Sequence, residues 1–258
     1  MRATVRFMTE PVRGEVFDDE EVARLYRYRP PYPEAVFRRL NRLCVDPRTV
    51  LDAGAGTGAL ARGMTRFAVQ IDAVEPSAAM IAVGRRLSGG SDPRIQWLRA
   101  RAEDAPLSPS YGLITCGTSL HWMDLDLVLP RFRDALAPGA RLAIVHTENV
   151  HGPYFDDVLA VRQQFERGDH PDEYDLVSRL QDAGRLVVED EERTEPVPFE
   201  QSVQEYLGYL HSTSTLARRG LGPRADDFDE TIRSVLRRHR IERLRYGVVG
   251  HIAWGRPS

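Results

Sequence analysis

At 258 residues and 42% hydrophobic content, the chain has the material for one full α/β domain with an elaboration. Its formal net charge of -3 supplies no global attraction to nucleic acid or an anionic membrane, which points to a small-molecule partner. All 35 basic residues are arginines, so Schiff-base chemistry, a phosphate-loop lysine and a lysine general base are excluded. The two cysteines, Cys44 and Cys116, are far apart and lack C-x-x-C spacing, so neither a metal site nor a disulfide framework is expected. Residues 1–16 contain no apolar stretch of signal-peptide length, and no later segment approaches membrane-spanning length. A cytoplasmic protein with no membrane partner is the expectation.

In chain order, the stretch 25–32 contains Pro30-Pro31 and cannot be helical throughout; rich in arginine and tyrosine, it is expected to form a lid. Tyr32-Pro33-Glu34 then opens a helix with Val36, Phe37, Leu40 and Leu43 on one face. Short apolar runs at 50–53, 71–74, 95–98, 113–116 and 142–145 read as strands, separated by stretches long enough for crossover helices. That alternation implies a parallel sheet covered by helices. Ser77 is placed to cap one helix and Asp124 another, Pro130 is expected to kink the second, and Pro138-Gly139 to end it. Two further strands are expected at 186–193 and 245–253, with helices near 202–210 and 226–240 between them. The expected division is a lid segment at 1–48, a core at 49–146, and the rest of the sheet at 147–258 with a helical insertion near 200–240.

The most informative segment follows the first strand: Asp52-Ala53-Gly54-Ala55-Gly56-Thr57-Gly58. Glycines at 54, 56 and 58 let the main chain approach a bound molecule closely, and a helix over 57–67 would present free amides to an anion. A nicotinamide-type turn is the rival, because the segment also fits G-x-G-x-x-A and Glu75 lies near the spacing of a ribose-binding acid. Asp52 weighs against it: an acid suits an ammonium, not a pyrophosphate.

The D-x-G-x-G-x-G turn resembles the first motif of the class I S-adenosylmethionine-dependent methyltransferases. Further segments are similar to the small-molecule branch that includes trans-aconitate and quinone methyltransferases: Tyr28-Arg29-Pro30-Pro31-Tyr32-Pro33, Val74-Glu75-Pro76-Ser77-Ala78-Ala79-Met80, Ala102-Glu103-Asp104-Ala105-Pro106 and Ser119-Leu120-His121-Trp122. The resemblance implies a Rossmann-like doubly wound α/β sheet, mostly parallel with an antiparallel C-terminal strand, plus a helical insertion or lid. It also implies S-adenosylmethionine, converted to S-adenosylhomocysteine, as the cofactor. Asp52 would face its ammonium, with Gly54, Ala55, Gly56 and Gly58 around it. Glu75, followed by Pro76, would accept from the ribose hydroxyls. Met80 and the Ala102-Glu103 pair would meet adenine, although Arg101 stands where an acid is common. Gly117 and Thr118 would approach the methionine part, Arg29 its carboxylate or an anionic acceptor, and Tyr28 the sulfonium.

The implied reaction is an in-line methyl transfer to O, N, C or carboxylate of a small organic acceptor, of the kind met in secondary metabolism. His121 is the candidate general base. His146 and His151 after the fifth strand, and Tyr209 and His211 on the insertion, are the candidate acceptor contacts. Three alternatives stay open: a cofactor-binding protein of the same fold that transfers no methyl, an RNA methyltransferase, and a nicotinamide oxidoreductase. The basic run Arg237-Arg238-His239-Arg240, flanked by Glu230 and Glu242, reads as a solvated helix end. Oligomeric state is not legible.

Overall fold

The computed structural model describes residues 14–108, 110–166 and 173–258; residues 1–13 of the expected lid segment lie outside it. Five parallel strands form in chain order: β1 (Thr49–Ala53), β2 (Gln70–Val74), β3 (Ile95–Leu98), β4 (Leu113–Gly117) and β5 (Leu142–Val150). Then come β6 (Leu186–Arg193), β7 (Val197–Ser202) and the 15-residue β8 (Arg243–Pro257). The sheet order is β3-β2-β1-β4-β5-β8-β6, and β8 runs antiparallel to β5. The outer edge of β8 is shared, since β6 pairs with its C-terminal half and β7 with its N-terminal half. The mostly parallel, Rossmann-like sheet with an antiparallel C-terminal region agrees with the expectation.

Alternation along the strands divides the core between the two faces. On β1, Val50 and the helices α2 (Glu34–Leu43) and α3 (Ala59–Met64) share one cluster. Leu51 joins the other with Phe132 of α5 (Leu125–Ala135) and Leu180 of α7 (Glu173–Asp182). A separate apolar cluster binds α6 (Phe155–Phe165), α8 (Val203–His211), the short α9 (Arg218–Leu221) and α10 (Ala225–Arg238) to the N-terminal half of β8 through Val161, Tyr206, Leu221, Phe228 and Tyr246. These helices form the elaboration above the strand ends.

The caps fall where expected. Ser77 Oγ accepts from the Met80 amide at the start of α4 (Ala78–Arg86), and the Asp124 carboxylate accepts from the amides of Asp126 and Leu127. α5 continues through Pro130.

Four features differ from the sequence reading. The helix expected over 57–67 is confined to Ala59–Met64, because Gly58 at φ 74° is left-handed and delays its start. Its Ala61 amide donates to Asp52 and is not free for an anion. Nothing was expected between 146 and 186, where α6 and α7 form, and β7 was not expected at all. Pro196 and Pro198 mask β7, yet proline is tolerated on an edge strand, which β7 is.

N-terminal to α2, a 3-10 turn (Glu15–Asp18), the short helix α1 (Glu20–Leu25) and a second 3-10 turn (Tyr26–Tyr28) lie across the strand ends. The first turn is tethered through Ser77 Oγ, which donates to the Phe17 carbonyl at 2.8 Å. Replacing Ser77 by alanine removes both a helix cap and this tether: the expected result is a loss of about 1 kcal/mol of stability by denaturant titration, with faster limited proteolysis within residues 14–19.

Candidate cofactor and acceptor site

Parallel strands present their C-terminal ends and following loops to one edge of the sheet, and the order reverses between β1 and β4, where open sheets place ligands. A cleft of about 2350 Å³ opens there, large enough for a cofactor and a second molecule together. Its floor is the glycine turn. Gly54 and Gly56, at φ 69° and 56°, hold backbone angles that favour glycine. A Cβ on Gly54 would come within 2.5 Å of Ser119 Cβ, whereas one on Gly56 would meet only the Tyr26 ring at 3.7 Å. Gly56 thus leaves an open cradle. Thr118, a non-glycine residue at φ 53°, is an unusual backbone position where β4 enters the cleft.

Two buried acids stand beneath this turn. Asp52 Oδ2 accepts from the Ala61 amide at 3.1 Å and Oδ1 from Thr115 Oγ1 at 2.9 Å. Burial, countered in part by those two bonds and reinforced by Glu75, pushes its carboxyl up to about 7. Glu75, at the end of β2, accepts from the Gly56 amide through Oε2 at 2.8 Å and from the Ser77 amide through Oε1 at 2.9 Å. Burial raises its pKa against the pull of those amides, and Asp18 adds to the rise. Each carboxylate oxygen keeps a further lone pair for a donor in the cleft.

Asp52, Gly54, Ala55, Gly56, Glu75, Pro76, Met80, Ala102, Glu103, Gly117, Thr118 and His121 all reach the cleft wall. Glu103 is engaged there, since its Oε1 accepts from the Asp124 amide at 2.8 Å and lies 3.3 Å from Arg101. The His121 ring rests against Trp122, with centroids 4.8 Å apart. Arg29 also reaches the wall: its Nε and Nη2 donate to Ser212 Oγ and to the Ser212 carbonyl at 3.0 and 2.8 Å, and its guanidinium lies 3.9 Å above the Tyr26 ring.

Other expected residues are elsewhere. Tyr28 packs against Gly208 of α8, away from the wall, and Tyr26 takes the place beside the glycine turn, because residues two apart on a 3-10 turn point in different directions. Gly58 faces the Trp97 ring. On β5 the side chains alternate, so Thr147 faces the cleft while His146 turns away to stack on His251 at 4.6 Å. His151 lies behind the wall, stacked on Phe155 at 4.0 Å. His211 is buried, its Nδ1 on the Leu216 carbonyl and its Nε2 on Asp229, both at 2.7 Å. Only Tyr209 of the expected acceptor contacts lines the cleft, joined by Arg162, Phe199 and Thr213, which the sequence reading missed. Phe17 and Trp122 were missed too; their rings meet edge to face at 5.5 Å, closing the strap over the cleft. The basic run at the end of α10 is engaged with neighbours, Arg237 with Glu230 and His239 with Asp157.

Comparison with known proteins agrees with this architecture. Residues 50–139 match the model of a methyltransferase domain family. An uncharacterized methyltransferase of Mycobacterium tuberculosis is 33% identical over 120 residues, 46% of this chain and 47% of that protein. A malonyl-[acyl-carrier protein] O-methyltransferase of Alcanivorax borkumensis is 38% identical over 97 residues, 36% of this chain and 33% of that one. The chain therefore matches less than half the length of these curated relatives. In fold, a candidate type II methyltransferase from Anaeromyxobacter dehalogenans superposes with a TM-score of 0.64 at 24% identity, covering 88% of this chain and 97% of that one. Fold and cleft define a doubly wound cofactor-binding protein with an acid under a glycine turn. Residues 50–139 thus match a methyltransferase domain, and over that part the chain is similar to the class I S-adenosylmethionine-dependent methyltransferases.

Burial, followed by the nearby charge of Arg162, pushes His151 down from 6.5 to about 4. Its folded pKa is depressed, so the stability it contributes is present above about 6.5 and is lost as pH falls toward 4. His151→Leu is expected to flatten the pH dependence of the denaturant midpoint across that window.

Proposed function

We propose that this protein transfers a methyl group from S-adenosylmethionine to a small organic acceptor, and that the glycine turn with its two acids is the cofactor half of the cleft. The observation that carries this reading is the pair Asp52 and Glu75, two desolvated acids beneath an open glycine cradle at the sheet's switch point. This donor and acceptor set fits the cofactor: Glu75 has lone pairs for a ribose diol, Asp52 attracts an ammonium, and Gly56 leaves room for close approach. A pyrophosphate beside two buried acids is disfavoured, which argues against a nicotinamide cofactor.

When bound, S-adenosylmethionine supplies an electrophilic methyl group. The chain's part is to align the acceptor and exclude water. Phe17, Tyr26 and Trp122 form the strap over the cofactor half, and residues 14–48 serve as the lid of a core at 49–146. The acceptor enters from the side of α6 and α8, where Arg162, Phe199, Tyr209 and Thr213 reach the cleft. His121 is placed to accept a proton from acceptors that must lose one. A reducing, cytoplasmic setting suits Cys44 and Cys116, both free and buried.

Calorimetry should show S-adenosylmethionine and S-adenosylhomocysteine binding in preference to NADH, with Glu75→Gln weakening both by tenfold or more, about 1.4 kcal/mol. Preference for NADH, or no binding of either nucleoside, would overturn the proposal. S-adenosylhomocysteine formation with an acceptor panel separates a transferase from a protein that only binds the cofactor.

The Asp52 carboxyl, held up to about 7, must give up its proton to pair with an ammonium. Affinity for S-adenosylmethionine is therefore expected to fall as pH drops below 7, by up to about tenfold per unit, and to level off above it. Asp52→Asn should bind more weakly with that dependence removed.

A further inference from the structure

The acceptor end of the cleft is built from α6, α8, β7 and the segment after α8, all outside residues 50–139, so the match to a methyltransferase domain says nothing about what it recognises. Its most distinctive feature is a charge pair on α6. Arg162 reaches the cleft wall with its side chain 23% exposed, and Glu166, one turn on, is 10% exposed. Arg162 Nε and Nη2 both donate to the same oxygen, Glu166 Oε1, at 3.2 and 2.9 Å. The acid thus occupies one edge of the guanidinium, and no described residue accepts from Nη1.

The surroundings keep this cation charged. Burial opposes it, but Glu166 and the Tyr209 and Tyr206 phenols more than offset that, leaving its pKa above the ordinary value. Tyr209, also on the wall, lies 3.3 Å from Asn149 Nδ2 and accepts from it, so the phenol's own proton is free for an acceptor in the cleft. Asn149 Oδ1, on the amide that meets Tyr209, is buried without a partner among the described residues. Arg29 adds a second positive charge to the cleft, and its two described polar partners are neutral atoms of Ser212. With Glu166 on one edge, the Arg162 guanidinium offers its remaining Nη donors to a second planar anion, a geometry that matches a carboxylate.

We propose that the acceptor is an organic monocarboxylate, anchored by Arg162 Nη1 and the Tyr209 hydroxyl, with its apolar body against Phe199. This rests on the methyltransferase reading and names the substrate class of the same cleft. A neutral amide of the same shape would meet the Arg162 Nη donors without a charge of its own and forgo the charge-assisted hydrogen bond, so it should bind more weakly.

The test is calorimetric titration of the protein loaded with S-adenosylhomocysteine, using benzoate, phenylacetate, cinnamate, sorbate and octanoate beside their primary amides. At least one acid should bind more tightly than its amide by about tenfold or more, and Arg162→Gln should remove that preference while S-adenosylhomocysteine affinity stays within about twofold. Tyr209→Phe, a smaller change to the packing, should weaken the acid alone by about threefold to tenfold. Equal binding of acid and amide, no binding of any acid, or an acid preference that survives in both variants would overturn the proposal. Failure of the unmodified protein to bind S-adenosylhomocysteine would instead remove the methyltransferase reading, and this one with it.

Discussion

The Glu75 carboxylate, buried at the end of β2, accepts from the Gly56 amide with one oxygen and from the Ser77 amide with the other. Those two bonds join the loop after β1 to the start of α4, elements that the sheet alone would leave as separate strand ends. The chain of dependence continues outward. Ser77 caps α4 and holds the Phe17 carbonyl, and Phe17 meets Trp122 on the far side of the cleft. One desolvated side chain thereby sets the shape of the floor and, through Ser77, the position of the strap.

The same concentration of charge is costly. Asp52 and Glu75 are both buried, and both carboxyls are held above the usual carboxylate range. Four hydrogen-bond donors make the arrangement tolerable: the Thr115 hydroxyl and the backbone amides of Gly56, Ala61 and Ser77, which no side-chain substitution removes. A cation arriving in the cleft would relieve what those donors leave uncompensated. At the opposite end Arg162 reaches the wall with Glu166 on one edge of its guanidinium.

Chain-local signals carried the parallel half of the molecule into view. Runs of four mostly apolar residues marked β1 to β5 because strands covered on both faces need no alternation, and the Ser77 and Asp124 caps lay directly before their helices. Elements of the C-terminal half were harder to read. β7 carries two charged or proline-rich positions that suit only a sheet edge, and edge status depends on β8, which lies more than forty residues downstream. α6 has a weakly segregated apolar face, since Val158, Val161 and Phe165 are buried among partners from α8 and α10.

By itself, the amino-acid sequence determined the glycine turn, the acids at Asp52 and Glu75 and the alternation of strands and helices in the core, because these rest on backbone angles, residue types and spacings along one chain. Tertiary structure alone decided which side chains share the cleft. Thr147 faces it and His146 does not because of the pleat of β5, and Tyr26 faces it in place of Tyr28 because of a 3-10 turn. Arg162 enters it because α6 packs beneath α8 and α10, a contact between segments distant in sequence that no local pattern records.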